Sequence, residues 1–125
     1  MENELLKSVH KVYESAKSGT VYATDDVFVT VVGMAASDVE GVLGLSDLNT
    51  GEPCSKMTVR NLGKCLRLDF GAEQTTVILG IIVSAGYNLL EVSHGVQNKV
   101  LGAVKDMIGF ELAQVNIQIS DVRSK

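Results

Sequence analysis

The sequence predicts a single α+β domain: a largely antiparallel sheet covered by two main helices, with an extra amphipathic helix at the N-terminus. Three observations carry that prediction. The chain has 125 residues, the size of one domain whose folding buries about two-thirds of the unfolded surface. Segments at strand spacing cluster in the middle, between segments at helical spacing, and such a run of strands makes a mostly antiparallel sheet. Hydrophobic residues make up 46% and charged residues 21%, an ordinary globular balance. With no Trp and 5% aromatics, the core falls to Val, Leu, Ile and Ala.

The first element, residues 3–17, reads as a helix because Leu5, Val9, Val12, Tyr13 and Ala16 recur at helical spacing and Gly19 is a stop signal. Thr20 to Ala23 reads as a short strand. Thr24 is then an N-cap, with Asp25 and Asp26 at the positive end of the helix dipole. The run Val27 to Val32 has the composition of a strand. The period through Val27, Val31, Met34, Ala35 and Val39 favours a helix ending at Gly41, and a helix is expected here.

A strand stub and a turn-rich loop fill 42–56. Met57 to Leu62 and Cys65 to Phe70 read as two strands joined near Gly63, the second burying Leu66, Leu68 and Phe70. Thr75 to Ala85, apolar on both faces, reads as the central strand. Asn88 followed by Glu91 makes a capping-box start, with Tyr87 and Val92 as a hydrophobic staple. That helix runs to about Ile108, burying Leu89, Val92, Val96, Val100, Val104 and Met107, and Gly109 fits its C′ position. Leu112 to Val122 is the last strand. The chain thus divides into an N-terminal helix (1–18), an α+β domain (19–122) and a tail (123–125).

The net charge of −4 argues against nucleic acid, whose binding needs a basic surface, and against direct adhesion to an anionic membrane. The acidic start and the longest apolar stretch, Val77 to Val83, offer neither a signal peptide nor a spanning segment. The expected setting is cytoplasmic, peripheral at the inner face of the membrane only through a partner.

Cys54, Cys65, His10 and His94 match no compact zinc spacing, and no Ser sits in a nucleophile elbow. Asp25 and Asp26 are neighbours, about 100° apart on a helix, and suit a helix start better than acid–base work. No catalytic residue, cofactor or metal is expected. Gly95 and Gly102, seven residues apart in a helix, read first as a close-packing face and second as a smooth groove for a partner helix.

The stretch from Asp26 and Val27 through Ala35 and Ala36 to Glu40, Gly41 and Val42 resembles the first half of the alkaline-shock-protein family domain. The second half is similar too: Gly86, Tyr87, Asn88 and Leu89, then Glu91, Val92, Val96, Gln97, Val100 and Val104, the Met107-Ile108-Gly109 end, and Val115-Asn116-Ile117. The resemblance covers residues 20–122. It implies a non-catalytic cytoplasmic module of Gram-positive bacteria linked to envelope stress, often held at the membrane by an anchor protein, and self-associating. A regulatory subunit of fatty-acid or lipid synthesis is the alternative it implies, and a small enzyme a distant third. The motif residues Gly41, Val42, Gly86, Asn88, Glu91, Gln97, Gly109 and Asn116 read as structural. Leu5, Val9, Val12, Tyr13, Gly95 and Gly102 are the candidate interaction surface, and the first four predict a homo-oligomer built through the N-terminal helix.

Overall fold

The computed structural model describes residues 9–54, 58–71 and 73–124. In chain order the elements are β1 (Val9–Ser15), β2 (Gly19–Thr24), α1 (Asp25–Ser37), β3 (Val42–Ser46), α2 (Val59–Cys65), β4 (Leu66–Phe70), β5 (Thr75–Ser84), α3 (Leu89–Ala103), which runs into a π-helical turn (Val104–Ile108), and β6 (Gln114–Arg123). The fold is α+β, as the segment pattern predicts.

The apolar run of β5 holds the centre of a four-stranded sheet. β6 lies parallel along one side of it. On the other side β4 pairs antiparallel with Thr75–Leu79 and β3 with Gly80–Val83, so two short strands share one edge. Because side chains alternate across a strand, Val77, Leu79, Ile81 and Val83 point to one face, where all four are fully buried in the core. Phe28, Val32 and Ala36 of α1 and Val92, Val96 and Val100 of α3 complete that core. The β-branched residues of α1 are helical because this packing outweighs their weak propensity. On the opposite face, the loop after β3 reaches over the sheet: the side-chain amide of Gln118 donates to the carbonyl of Leu48 at 3.2 Å. Ser46 and Ser120 share a hydroxyl hydrogen bond of 2.7 Å.

Three expectations need correction. The N-terminal segment is not helical where it is described: Val9–Ser15 is a strand, paired antiparallel with β2 in a two-stranded hairpin. Its register shifts between Lys11 and Tyr13. The bulge breaks the alternation of period two, so Val9, Val12 and Tyr13 fall at a spacing that imitates a helix. Gly19, with φ +103°, is a hairpin-turn residue and not a helix stop. Leu5 lies outside the described residues.

The strand expected over 57–62 is instead α2, and Gly63 is inside it. Thr58 caps the helix, its hydroxyl accepting from the Asn61 N–H at 3.3 Å. Met57 lies outside the described residues. Cys65 ends this helix, and β4 opens at Leu66.

Finally, Leu89 and Met107 are exposed, not buried. Leu89 is the first residue of α3. The π turn, closed by the Gly109 N–H donating to the Val104 carbonyl at 3.1 Å, fits an extra residue into the last turn. Ile108 therefore packs on the core while Met107 swings outward.

Candidate interaction groove

α1 presents two faces. Phe28, Val32 and Ala36 turn to the sheet, while Val27 and Met34 remain in solvent beside Val31. The periodic stripe that marks this helix in the sequence is thus partly its outer face. α3 lies alongside, and the π turn sets Met107 opposite Met34. Between the helices runs an open groove of about 370 Å³ lined by Val31, Met34, Ala35, Ala103 and Met107. Asp38 and Lys99 close one end with an ion pair of 3.5 Å. Met34 is 60% exposed and Met107 72% exposed. Apolar side chains this open cost free energy in water, and a thioether on three rotatable bonds adapts to many apolar shapes.

A second concave region lies by the hairpin. All three phenylalanines of the chain, Phe28, Phe70 and Phe110, meet edge to face, with centroids 5.2–6.0 Å apart. The His10 ring stacks on Phe70 at 3.4 Å and its Nε2 meets the Asp25 carboxylate at 2.5 Å. This cluster clamps β1 to the start of α1 and gives His10 a structural role. Among the described residues, no group of three or more His, Cys, Asp and Glu side chains is arranged to hold a metal. His94 lies on α3 and His10 in the aromatic cluster, so the four residues weighed for zinc do not converge. Cys54 and Cys65 do meet, in a separate cavity.

Several of the motif residues make contacts that shape the fold. Gly41 has φ +96°, and a Cβ there would sit 2.7 Å from Val92 Cγ2 and 2.9 Å from the Tyr87 ring. The staple between Tyr87 and Val92 therefore closes over a glycine. The Tyr87 hydroxyl donates to Glu40 at 3.2 Å, and that carboxylate's charge pushes the phenol's pKa up. Val42 opens β3, and Gly86 turns the chain at φ +98°. The Asn88 side chain accepts from the Glu91 N–H at 3.0 Å, capping α3. Gln97 donates to the Val115 carbonyl at 3.0 Å, tying α3 to β6. Gly109 ends the π turn at φ +79°. Asn116 is exposed on β6 beside Ile78.

The candidate surface residues that are described do not form one patch. Val12 packs on the core, Tyr13 is exposed opposite Val21 on the hairpin, and Val9 starts β1. A Cβ on Gly95 would touch Val39 at 3.3 Å, so that glycine serves close packing; one on Gly102 would meet nothing. The groove uses Lys99 and Ala103 instead. Sequence reasoning does not single out Met34 and Met107 as surface residues, because each falls on an apolar period that also marks a core.

A family profile for the alkaline shock protein 23 family, described as of cell envelope-related function, matches residues 13–124. The match begins inside β1, so the family domain extends further towards the N-terminus than residue 20. The uncharacterized protein YloU of Bacillus subtilis (strain 168) is 32% identical over 109 residues, covering 86% of this chain and 91% of YloU. A stress response regulator gls24 homolog of Streptococcus pyogenes serotype M3 is 23% identical over 126 residues, covering 100% of this chain and 70% of the homolog. Among solved structures, the copper form of the MamM CTD aligns with a TM-score of 0.47 at 16% identity, over 79% of this chain and 86% of that one. That likeness is too loose to carry an argument.

Proposed function

We propose that this chain, which belongs to the alkaline shock protein 23 family, is a non-catalytic interaction module of the Gram-positive envelope stress response that holds an apolar segment of a partner protein in the groove between α1 and α3. The observation that carries the reading is the pair Met34 and Met107, exposed across an apolar groove with an ion pair at its end. A small-molecule site would gather several polar groups around an enclosed cavity. This groove is open and offers only Asp38 and Lys99, a geometry better suited to a helix laid along it. Among the described residues no helix is long and apolar enough to cross a membrane. Contact with the envelope then runs through the partner, which we take to be an anchor protein at the inner face of the membrane.

The test is recovery of tagged protein from membrane and soluble fractions, wild type against Met34→Glu with Met107→Glu. The wild type retains a protein partner and the double variant loses it, with unchanged circular dichroism. Sedimentation of the purified wild type with anionic liposomes, without any other protein, would overturn the reading. A second copy of the chain is the alternative occupant, and light scattering separates the two. Light scattering thereby tests the expected self-association as well; of the N-terminal residues it rests on, the described ones, Val9–Ser15, form a strand. Control of a lipid-synthesis enzyme would use the same groove and differ only in the protein recovered.

A further inference from the structure

Cys54 and Cys65, eleven positions apart, line one cavity of about 160 Å³ together with Asp47, Asn61 and Lys64. The backbone on both sides is fixed. The Cys54 N–H donates to the Leu45 carbonyl at 2.8 Å, next to the bridge between Ser46 and Pro53. Cys65 is the last residue of α2, and its thiol lies 3.4 Å from the Asn61 carbonyl. Cys54 is half-buried and Cys65 buried, and the Cys54 thiol is close enough to raise the pKa of the Cys65 thiol.

We propose that this pair is an oxidation site, at which hydrogen peroxide converts the two thiols into an intramolecular disulfide that ties the loop after β3 to the end of α2. The first step belongs to Cys54, the more exposed sulfur. Burial, and then the neighbouring Cys54, push the Cys65 thiol up to about 12, so it stays protonated while Cys54 reacts. The Cys54 thiolate attacks one peroxide oxygen, the O–O bond breaks, and the departing hydroxide takes up a proton as water. Cys54 is then a sulfenic acid. The Cys65 sulfur, losing its proton, attacks the Cys54 sulfur; the S–O bond breaks and the hydroxyl leaves with that proton as a second water. Two thiols and one peroxide become one disulfide and two waters, with the sulfurs oxidised and the peroxide oxygens reduced. A reducing dithiol reverses the change by exchange.

The experiment treats full-length reduced protein with equimolar hydrogen peroxide, blocks remaining thiols with an alkylating reagent, and reads intact mass and a non-reduced tryptic map. Lys56, Arg60 and Lys64 place the two cysteines on different peptides. The wild type loses the mass of two hydrogens, takes up no alkyl group, and yields a Cys54–Cys65 linked peptide. Cys54→Ser leaves Cys65 open to alkylation after unfolding, and Cys65→Ala stops at oxidised Cys54 or at a dimer linked through it. The oxidised wild type also melts at a higher temperature than the reduced form. Overoxidation of Cys54 with Cys65 still alkylatable, or cross-linking only between chains in the wild type, would overturn the proposal. So would stoichiometric zinc in protein purified without added metal that is lost in Cys54→Ser, because the thiols would then be ligands.

Discussion

Replacing Gly80 with alanine puts a methyl group where the fold has no space for one. Gly80 sits in the middle of β5, opposite Ser46 on β3 and Gln118 on β6. A Cβ at this position would lie 2.6 Å from the Ser46 hydroxyl and 2.7 Å from the Ser46 carbonyl oxygen. The carbonyl belongs to a paired strand and cannot rotate away. The hydroxyl is the one bonded to Ser120, and Ser46 is fully buried. Overpacking costs about 1–3 kcal/mol. Depriving a buried hydroxyl of its partner costs about 1–3 kcal/mol more. The sum, about 2–6 kcal/mol, is a large share of the roughly 6–19 kcal/mol expected for a domain of this length. Urea unfolding followed by circular dichroism measures it, with the slope checked for constancy. In a Ser46→Ala background the cost of Gly80→Ala should fall, because one of the two clashing atoms is gone. A loss below about 1 kcal/mol in the wild-type background would refute the packing argument, since it would fall short of a single overpacked contact.

Gly102→Ala should do the opposite: it lies in α3 with open space around its Cβ position, so helix propensity gives about 0.5–1 kcal/mol of added stability in the same unfolding assay. Asn88→Ala removes the cap on the Glu91 N–H and should cost about 0.5–2 kcal/mol, with hydrogen exchange speeding up first at the start of α3. Alkali should weaken the fold through Cys65. Its thiol ionises near 9.0 when unfolded and is pushed up to about 12 when folded. Between those values the unfolded chain binds fewer protons, so stability falls as pH rises through the window. Urea midpoints measured from pH 8 upward should decline less steeply in Cys65→Ala than in the wild type.

Where periodicity is unbroken, the sequence can be read. β5 shows itself by length and by apolar residues on both faces, and α3 by the cap at Asn88 and the four-residue spacing from Val92 to Val104. Two departures share one physical origin, a local irregularity that changes the period. The bulge at Val12 gives a strand the spacing of a helix, and the π turn moves Met107 from core to surface. In α2, a seven-residue helix is too short to display a period, and its signal is only the cap at Thr58. The groove escapes sequence reasoning because it is a relation between helices. Val27 and Met34 look like core residues until the other face of α1 is seen to fill that role. The meeting of Cys54 with Cys65 likewise depends on how the loop after β3 folds back, which no spacing encodes.

A binding isotherm for the recovered partner against wild type, Met34→Glu and Met107→Glu shows whether the groove holds it. Both side chains are exposed, so the variants leave the core intact and their unfolding curves should match the wild type. If each methionine is covered on binding, its apolar burial contributes about 1.5–3 kcal/mol, so each variant should weaken the dissociation constant by roughly 10- to 150-fold. Dissociation constants unchanged in both variants, with the fold intact, would mean that the partner does not bind in this groove.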